Sequence, residues 1–217
     1  RGYQDYRGGG HFSGRLTAAL CVAGGIAIQM LERNGVKVKA VLESVCGQES
    51  GIDELIAEAI SEGDSLGGTI ACTIDGLPCG VGEPMFDGLE NRISQAVFAI
   101  PAIKGIEFGD GFKLSELKGS EARDEYVASD GKIALTSNHN GGILGGISTG
   151  EAVNFRVCIK PTPSISIPSK SVSYSRGENV ELKISGRHDP CIALRAVPCI
   201  EAAAAIAVLD LMLGDIN

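Results

Sequence analysis

The stretch "CIEAAAAIAVLDLML", residues 199–213, constrains this chain more than any other. It is apolar on nearly every side, so residues 200–213 read as a closing helix that must be buried. Directly before it stands "GRHDPCIALRAVP", residues 186–198, which sets two arginines, a histidine and an aspartate around a proline turn. So much charge against a buried helix points to a charged ligand held there.

The rest of the chain supplies elements that can cover such a helix. Residues 17–34 read as a helix stopped by Asn34-Gly35, and its first half is apolar nearly all round, which predicts burial. "VKVKAV", 36–41, alternates with period two and reads as a half-exposed strand. Residues 52–61 form an amphipathic pattern with Leu55, Ile56, Ala59 and Ile60 on one face. "GGTIACTIDGLP" reads as a strand ending in a turn, 89–99 as a helix stopping before Pro101, and "AIKGIEFG" as a further strand. The polar, Gly-punctuated region 110–142 reads mostly as loop. "VNFRVCIK" and "VELKIS" read as strands on either side of "PTPSISIPSKS", whose prolines forbid a helix. Helices alternate with strands, which gives an α/β or α+β class. A length of 217 residues suits a single domain, 1–217, with a sizeable core.

Composition narrows the function. The net charge of -8 argues against phosphate-backbone binding, and the absence of Trp among few aromatics argues against stacking on single strands, so no nucleic-acid partner is expected. Seven scattered cysteines without C-x-x-C disfavour a disulfide framework and a metal site; they read as small buried apolar residues in a reducing cytoplasm. No segment reads as the ~18 apolar residues of a membrane span, since 18–28 is short and Glu201 and Asp210 interrupt the last helix. There is no signal-peptide pattern. The chain starts at Arg1 and runs straight into motif-like sequence, so further sequence is expected upstream.

Four Gly-, Ser- or Pro-rich loops sit beside element ends: "RGGGHFSGR", "NHNGGILGGIS", "KPTPS" and "GRHDPC". Each offers backbone N–H groups suited to an anion, and the first leads into a helix N-terminus. None has the spacing of a dinucleotide or Walker loop. Arg7, Arg15, Lys160, Arg187 and Arg195 would, if they converge, suit a ligand with several phosphates or carboxylates. Asp189 reads either as a turn residue or ion-pair partner of Arg187, or as a carboxylate placed for proton transfer. His11, His139 and His188 are each open between structural and acid–base roles.

Taken together, "RGGGHFSGRLTA", "GDSLGGTIACTIDGLPCGVGEPMFDGLENRIS", "IPAIKGIEFGDGF", "KGSE", "NHNGGILGGISTGE", "KPTPSIS" and "GRHDPCIALRAVPCIEAAAA" resemble chorismate synthase, in the family's order and over essentially the whole chain. The resemblance implies an α+β fold, the β-α-β sandwich of that family, in a cytoplasmic homotetramer. It implies a lyase that converts 5-enolpyruvylshikimate 3-phosphate to chorismate and phosphate by anti 1,4-elimination. The reaction needs reduced FMN, with NADPH as reductant in some members. By the same resemblance, His11, Phe12, Ser13, Pro101, Ala102, Gly145, Lys160, Pro161, Thr162, Pro163, Ser164 and Arg187 would contact FMN. Arg15 would lie near the substrate, and Asp189 would assist proton removal. All these segments are then expected in one cationic pocket.

Three departures qualify the match. The family's two histidine motifs, upstream of "RGGG", do not occur, and His11, His139 and His188 do not align with them. "HFSGRLT" stands where "RSSARET" is commoner, so Leu16 occupies a Glu position, and 46–53 is shorter than in many members. The chain alone is therefore expected to be impaired in turnover. The alternative is a non-catalytic FMN- or anion-binding fragment that keeps the fold and oligomer interface.

Overall fold

The structure, a computed structural model, describes residues 10–129, 131–186 and 188–214. Its elements are helices α1 (Thr17–Arg33), α2 (Ile52–Glu62), α3 (Leu89–Phe98), α4 (Gly119–Ala122) and α5 (Ala193–Gly214). The strands are β1 (Lys37–Val45), β2 (Gly68–Asp75), β3 (Ile103–Phe108), β4 (Tyr126–Ser129), β5 (Lys132–Leu135), β6 (Ile143–Leu144), β7 (Ile147–Ser148), β8 (Val153–Ile159), β9 (Ser169–Ser173) and β10 (Glu178–Leu182).

Four strands make one antiparallel sheet in the order β1-β2-β8-β3, and the remaining strands pair as three hairpins. Period-two alternation sets the sheet's two faces. Val38 and Ala40, Ile70, Cys72 and Ile74, and Val153, Phe155, Val157 and Ile159 are buried on one face. Fully burying a side chain such as Phe155 stabilises by about 1.5–3 kcal/mol. The opposite face carries Arg156, paired with Glu107 and 3.8 Å from Glu43.

Helix α5 lies against the buried face, with Ile200, Ala203, Ala204, Ala205 and Val208 inaccessible or nearly so. Glu201 ties it to the sheet by accepting the Ala40 N–H of β1 at 2.8 Å. Helix α1 packs along α5, closely enough that a Cβ on Gly24 would overlap that of Ala202. These layers give the α+β class. The described residues contain the four-stranded sheet and the helical layer of a sandwich, and among them no second sheet of that size.

Several expectations need correction. Helix α1 is not buried: only its Gly24, Ala27 and Leu31 side is, while Val22 is 70% and Ile26 58% exposed. Small residues let one side seat against α5 and leave the long apolar chains outward. Helix α5 begins at Ala193, so Pro198 sits inside it rather than ahead of it. Gly14–Arg33 and Ala193–Gly214 are in fact long and apolar enough to cross a membrane, because isolated charges do not break such a stretch. The second of them is the core helix. Region 110–142 contains α4 and the β4–β5 hairpin. Cysteines 72, 191 and 199 are buried as expected, but 46, 79 and 158 are exposed.

Candidate functional site

Three of the expected segments meet at one end of the sheet. That end is formed by the last residue of β8, the first of β2 and the first of β3, as the register pairs Gly68 and Ile103 with Ile159. Lys160 N donates to the Ala102 carbonyl at 3.0 Å. Ser65, buried, donates its hydroxyl to the Thr162 carbonyl at 2.7 Å, and the neighbouring Leu66 N donates to the Pro190 carbonyl at 2.7 Å. Pro101–Ala102, Lys160–Ser164 and Asp189–Pro190 are thus joined around residues 63–67. Ala102 adopts φ 75, a left-handed conformation rare for a residue with a side chain and typical of ligand-contacting turns.

The α1 loop reaches the same end. Cys21 touches Cys199 at 3.7 Å, and Gly24 meets Ala202, so both helices advance in step and run parallel. Ser13, which accepts the Arg15 N–H at 3.2 Å ahead of α1, therefore lies toward the N-terminus of α5. Phe12 and Arg15 are exposed there, as are Lys160, Pro161 and Pro163, while Thr162 and Ser164 are half-buried. His11 lies in the Gly10–Phe12 turn, and Arg187 falls outside the described residues.

Asp189 is doubly held. Its Oδ1 accepts the Cys191 N–H at 3.2 Å, and its Oδ2 is 3.0 Å from Arg195 Nε. The turn contact expected of Asp189 is present, but its observed ion-pair partner is Arg195; the expected partner, Arg187, lies outside the described residues. The Arg195 side chain is 82% exposed against 22% for Asp189, so the arginine is the member of the pair open to a ligand. Two polar atoms at this end, Thr162 Oγ1 and His188 Nε2, are buried with no hydrogen-bond partner among the described residues. Such atoms cost stability unless a ligand or water satisfies them.

Gly145 does not join this group. Its hairpin β6–β7 sits at the other end of the sheet, where Leu89 N, the first residue of α3, donates to the Gly146 carbonyl at 2.7 Å and Asn154 N to the Gly141 carbonyl at 3.2 Å. Strand β8 separates the two ends by about 20 Å at ~3.3 Å per residue. The expectation of one pocket holding all four loops is corrected: three converge and the glycine loop stands apart. Spacing along the chain could not reveal this, because 145 and 160 flank a single strand. Two surface hollows, of about 230 and 520 Å³, contain none of the candidate residues.

The loop leading to Gly145 is nonetheless built with care. Asp124 accepts Ser137 Oγ at 2.6 Å, the His139 N–H at 2.8 Å, and Asn140 through both its N–H, at 3.1 Å, and its Nδ2, at 2.8 Å. Burial pushes the Asp124 carboxyl up, but these bonds outweigh it and hold the pKa at about 2. His139 Nδ1 lies 2.7 Å from Asp110 Oδ2. Sequence reading passed over Asp124, Asp110 and Ser65. Ser65 and Asp110 lie inside the quoted blocks that begin "GDSLGG" and end "EFGDGF", whereas Asp124 stands three residues beyond "KGSE" with no motif of its own.

Known proteins similar to this chain identify its family and fold. The family model described as chorismate synthase matches residues 2–213. The chorismate synthase of Chitinophaga pinensis is 49% identical over 212 residues, covering 98% of this chain and 63% of its own length. Those of Thermococcus kodakarensis and Korarchaeum cryptofilum are 42% and 41% identical, covering 98% and 96% of this chain and 66% and 65% of their own lengths. A solved structure titled "Crystal Structure of Chorismate Synthase" superposes with a TM-score of 0.79 at 24% identity, over 94% of this chain and 65% of that one, and shares the fold. This chain spans about two thirds of the length of these relatives. A match of this extent, with the Asp189, Lys160–Ser164 and Ala102 segments joined at the head of the core helix, means that the chain belongs to the chorismate synthase family.

Proposed function

We propose that this chain carries the flavin- and substrate-holding end of a chorismate synthase, a carbon–oxygen lyase that forms chorismate and phosphate from 5-enolpyruvylshikimate 3-phosphate. The observation that carries the reading is the pair of unpartnered buried atoms, Thr162 Oγ1 and His188 Nε2, at the end where three expected FMN segments meet. A polar cofactor with hydroxyls and a phosphate fits them. When bound, reduced FMN supplies the electron density that helps phosphate leave.

The chain's own residues have separate tasks. Lys160 and Arg15, both exposed, and the N-terminus of α5 offer positive charge to phosphate and carboxylate groups. Thr162, its carbonyl fixed by Ser65, keeps a buried hydroxyl with no partner among the described residues, which a hydrogen bond from the ligand would satisfy. Asp189 handles the proton at Oδ2. Its carboxylate is held through Oδ1, which accepts the Cys191 N–H, and the exposed Arg195 is the partner that gives way. A cytoplasmic homotetramer and reduction by NADPH belong to the same reading and rest on family membership alone.

A second reading is favoured by the shared length with relatives: the chain binds FMN or anions without turning over. Titrating FMN fluorescence with and without 5-enolpyruvylshikimate 3-phosphate, beside a chorismate assay under reducing conditions, separates the two. Substrate-dependent binding with chorismate formation supports the enzyme. Binding without product supports the fragment reading, and no FMN binding at all defeats the enzyme reading and leaves of the second only anion binding.

A further inference from the structure

Two facing thiols take no part in holding flavin or substrate. Cys21, on α1, donates its thiol hydrogen to the Cys199 sulfur of α5 at 3.7 Å, and the Cys199 thiol donates in turn to the Arg195 carbonyl at 3.7 Å. Neither cysteine is in a disulfide. They differ in access: Cys199 is 7% exposed, while Cys21 is half-buried and can meet a small molecule from solvent.

The helices around them are set for a covalent bond. One turn further along, Gly24 lets α1 approach so closely that an added Cβ would overlap Ala202. With the backbones in contact there, the sulfurs need only close from 3.7 Å to the ~2.0 Å of a disulfide, a change that side-chain rotation supplies. The existing hold on α1 is also uneven. Its fully buried residues, Gly24, Ala27 and Leu31, all follow Cys21, so the first turn of the helix has no such anchor. Val22 and Ile26 face outward.

We propose that Cys21 and Cys199 are a redox-responsive clamp: a low-molecular-weight disulfide oxidises the pair to a Cys21–Cys199 disulfide, which pins the first turns of α1 to the core helix. Cys21, the more accessible thiol, attacks one sulfur of the small disulfide, expels one thiol and forms a mixed disulfide. Cys199 then attacks the Cys21 sulfur and expels the second thiol. Two protein thiols become one S–S bond, their two electrons reduce the small disulfide, and their two protons end on the two released thiols. Burial and the Cys199 contact push the Cys21 thiol up to about 11, so closure is slow near neutral pH and answers to sustained oxidation. The bond joins residues 178 positions apart, which restricts the unfolded chain strongly.

Incubation with glutathione disulfide near pH ~8 tests this, in a chain whose exposed thiols are removed by Cys46→Ser, Cys79→Ser and Cys158→Ser. Peptide mapping without reductant should find the peptide of Cys21 joined to that of Cys199, with the intact mass lower by two hydrogens. The melting temperature should rise by several degrees and fall back with dithiothreitol. Amide exchange across residues 17–24 should slow in the oxidised chain. Cys199→Ala should remove both the cross-link and the melting shift. A folded chain in which Cys21 and Cys199 stay unlinked, or link only in urea, overturns the inference. So does a melting shift that survives in Cys199→Ala, or a cross-link that leaves the melting temperature unchanged or lower.

Discussion

Cys21 and Cys199 face each other at 3.7 Å from two parallel helices, and three residues further along each helix Gly24 meets Ala202. This in-step contact brings the loop before α1 to the same end of the molecule as Asp189.

It also makes Gly24 the tightest point of the helix pair. Gly24→Val should force α1 off α5 and destabilise by about 1–3 kcal/mol, the usual cost of overpacking. The melting temperature should fall by several degrees. Gly25, where an added Cβ meets nothing within 4 Å, is the control: Gly25→Ala should leave stability level or slightly raised.

Thr162→Val should act in opposite directions with and without ligand. The hydroxyl is buried and unpartnered, so removing it should leave the free chain as stable or somewhat more so. With FMN present the lost hydrogen bond should weaken binding by roughly tenfold, about 1.4 kcal/mol. Thermal melts with and without FMN read both halves. A destabilised free chain with unchanged FMN affinity would assign the hydroxyl to packing.

Acid should loosen the glycine loop through Asp124. Its carboxyl is held at about 2 in the folded chain, below its ordinary value of 3.8. A depressed pKa means the stabilisation is present above pH ~4 and is lost as pH falls through ~2. The site is only partly buried, so solvent screening limits the effect to about 1 kcal/mol. Asp124→Asn should cost stability at pH 6 and progressively less as pH falls toward ~2, measured by urea midpoints. Hydrogen exchange at residues 138–142 should rise in the same variant.

Thiol labelling should divide the cysteines by burial. Cys46, Cys79 and Cys158 are exposed and should react with iodoacetamide at pH 8. Cys72, pushed up to about 12 by burial and by nearby Glu201, should stay unmodified until the chain unfolds. Cys21, raised to about 11 by burial and by its Cys199 contact, should lag the exposed three. Mass spectrometry of the native chain reads this directly, and early labelling of Cys72 would contradict its placement.

Much of the fold is written in local pattern. The alternation in 36–41, the amphipathic run 52–61 and the apolar run 200–213 each became the expected kind of element, because periodicity reports which face must leave water. The loop motifs marked the Ala102, Thr162 and Asp189 segments, and the fold joins these three at one end of the sheet. Other features depended on what the chain meets once folded. The helix of 17–34 looked buried from its composition, yet only one side finds a neighbour. The sequence suggested Arg187 as the partner of Asp189, whereas the first turn of α5 brings Arg195 to within 3.0 Å of it. Four Gly-, Ser- or Pro-rich loops invited a single pocket. Strand β8, rigid and about 20 Å long, put one of them at the far end, since a strand holds the residues that flank it apart however alike their sequences are.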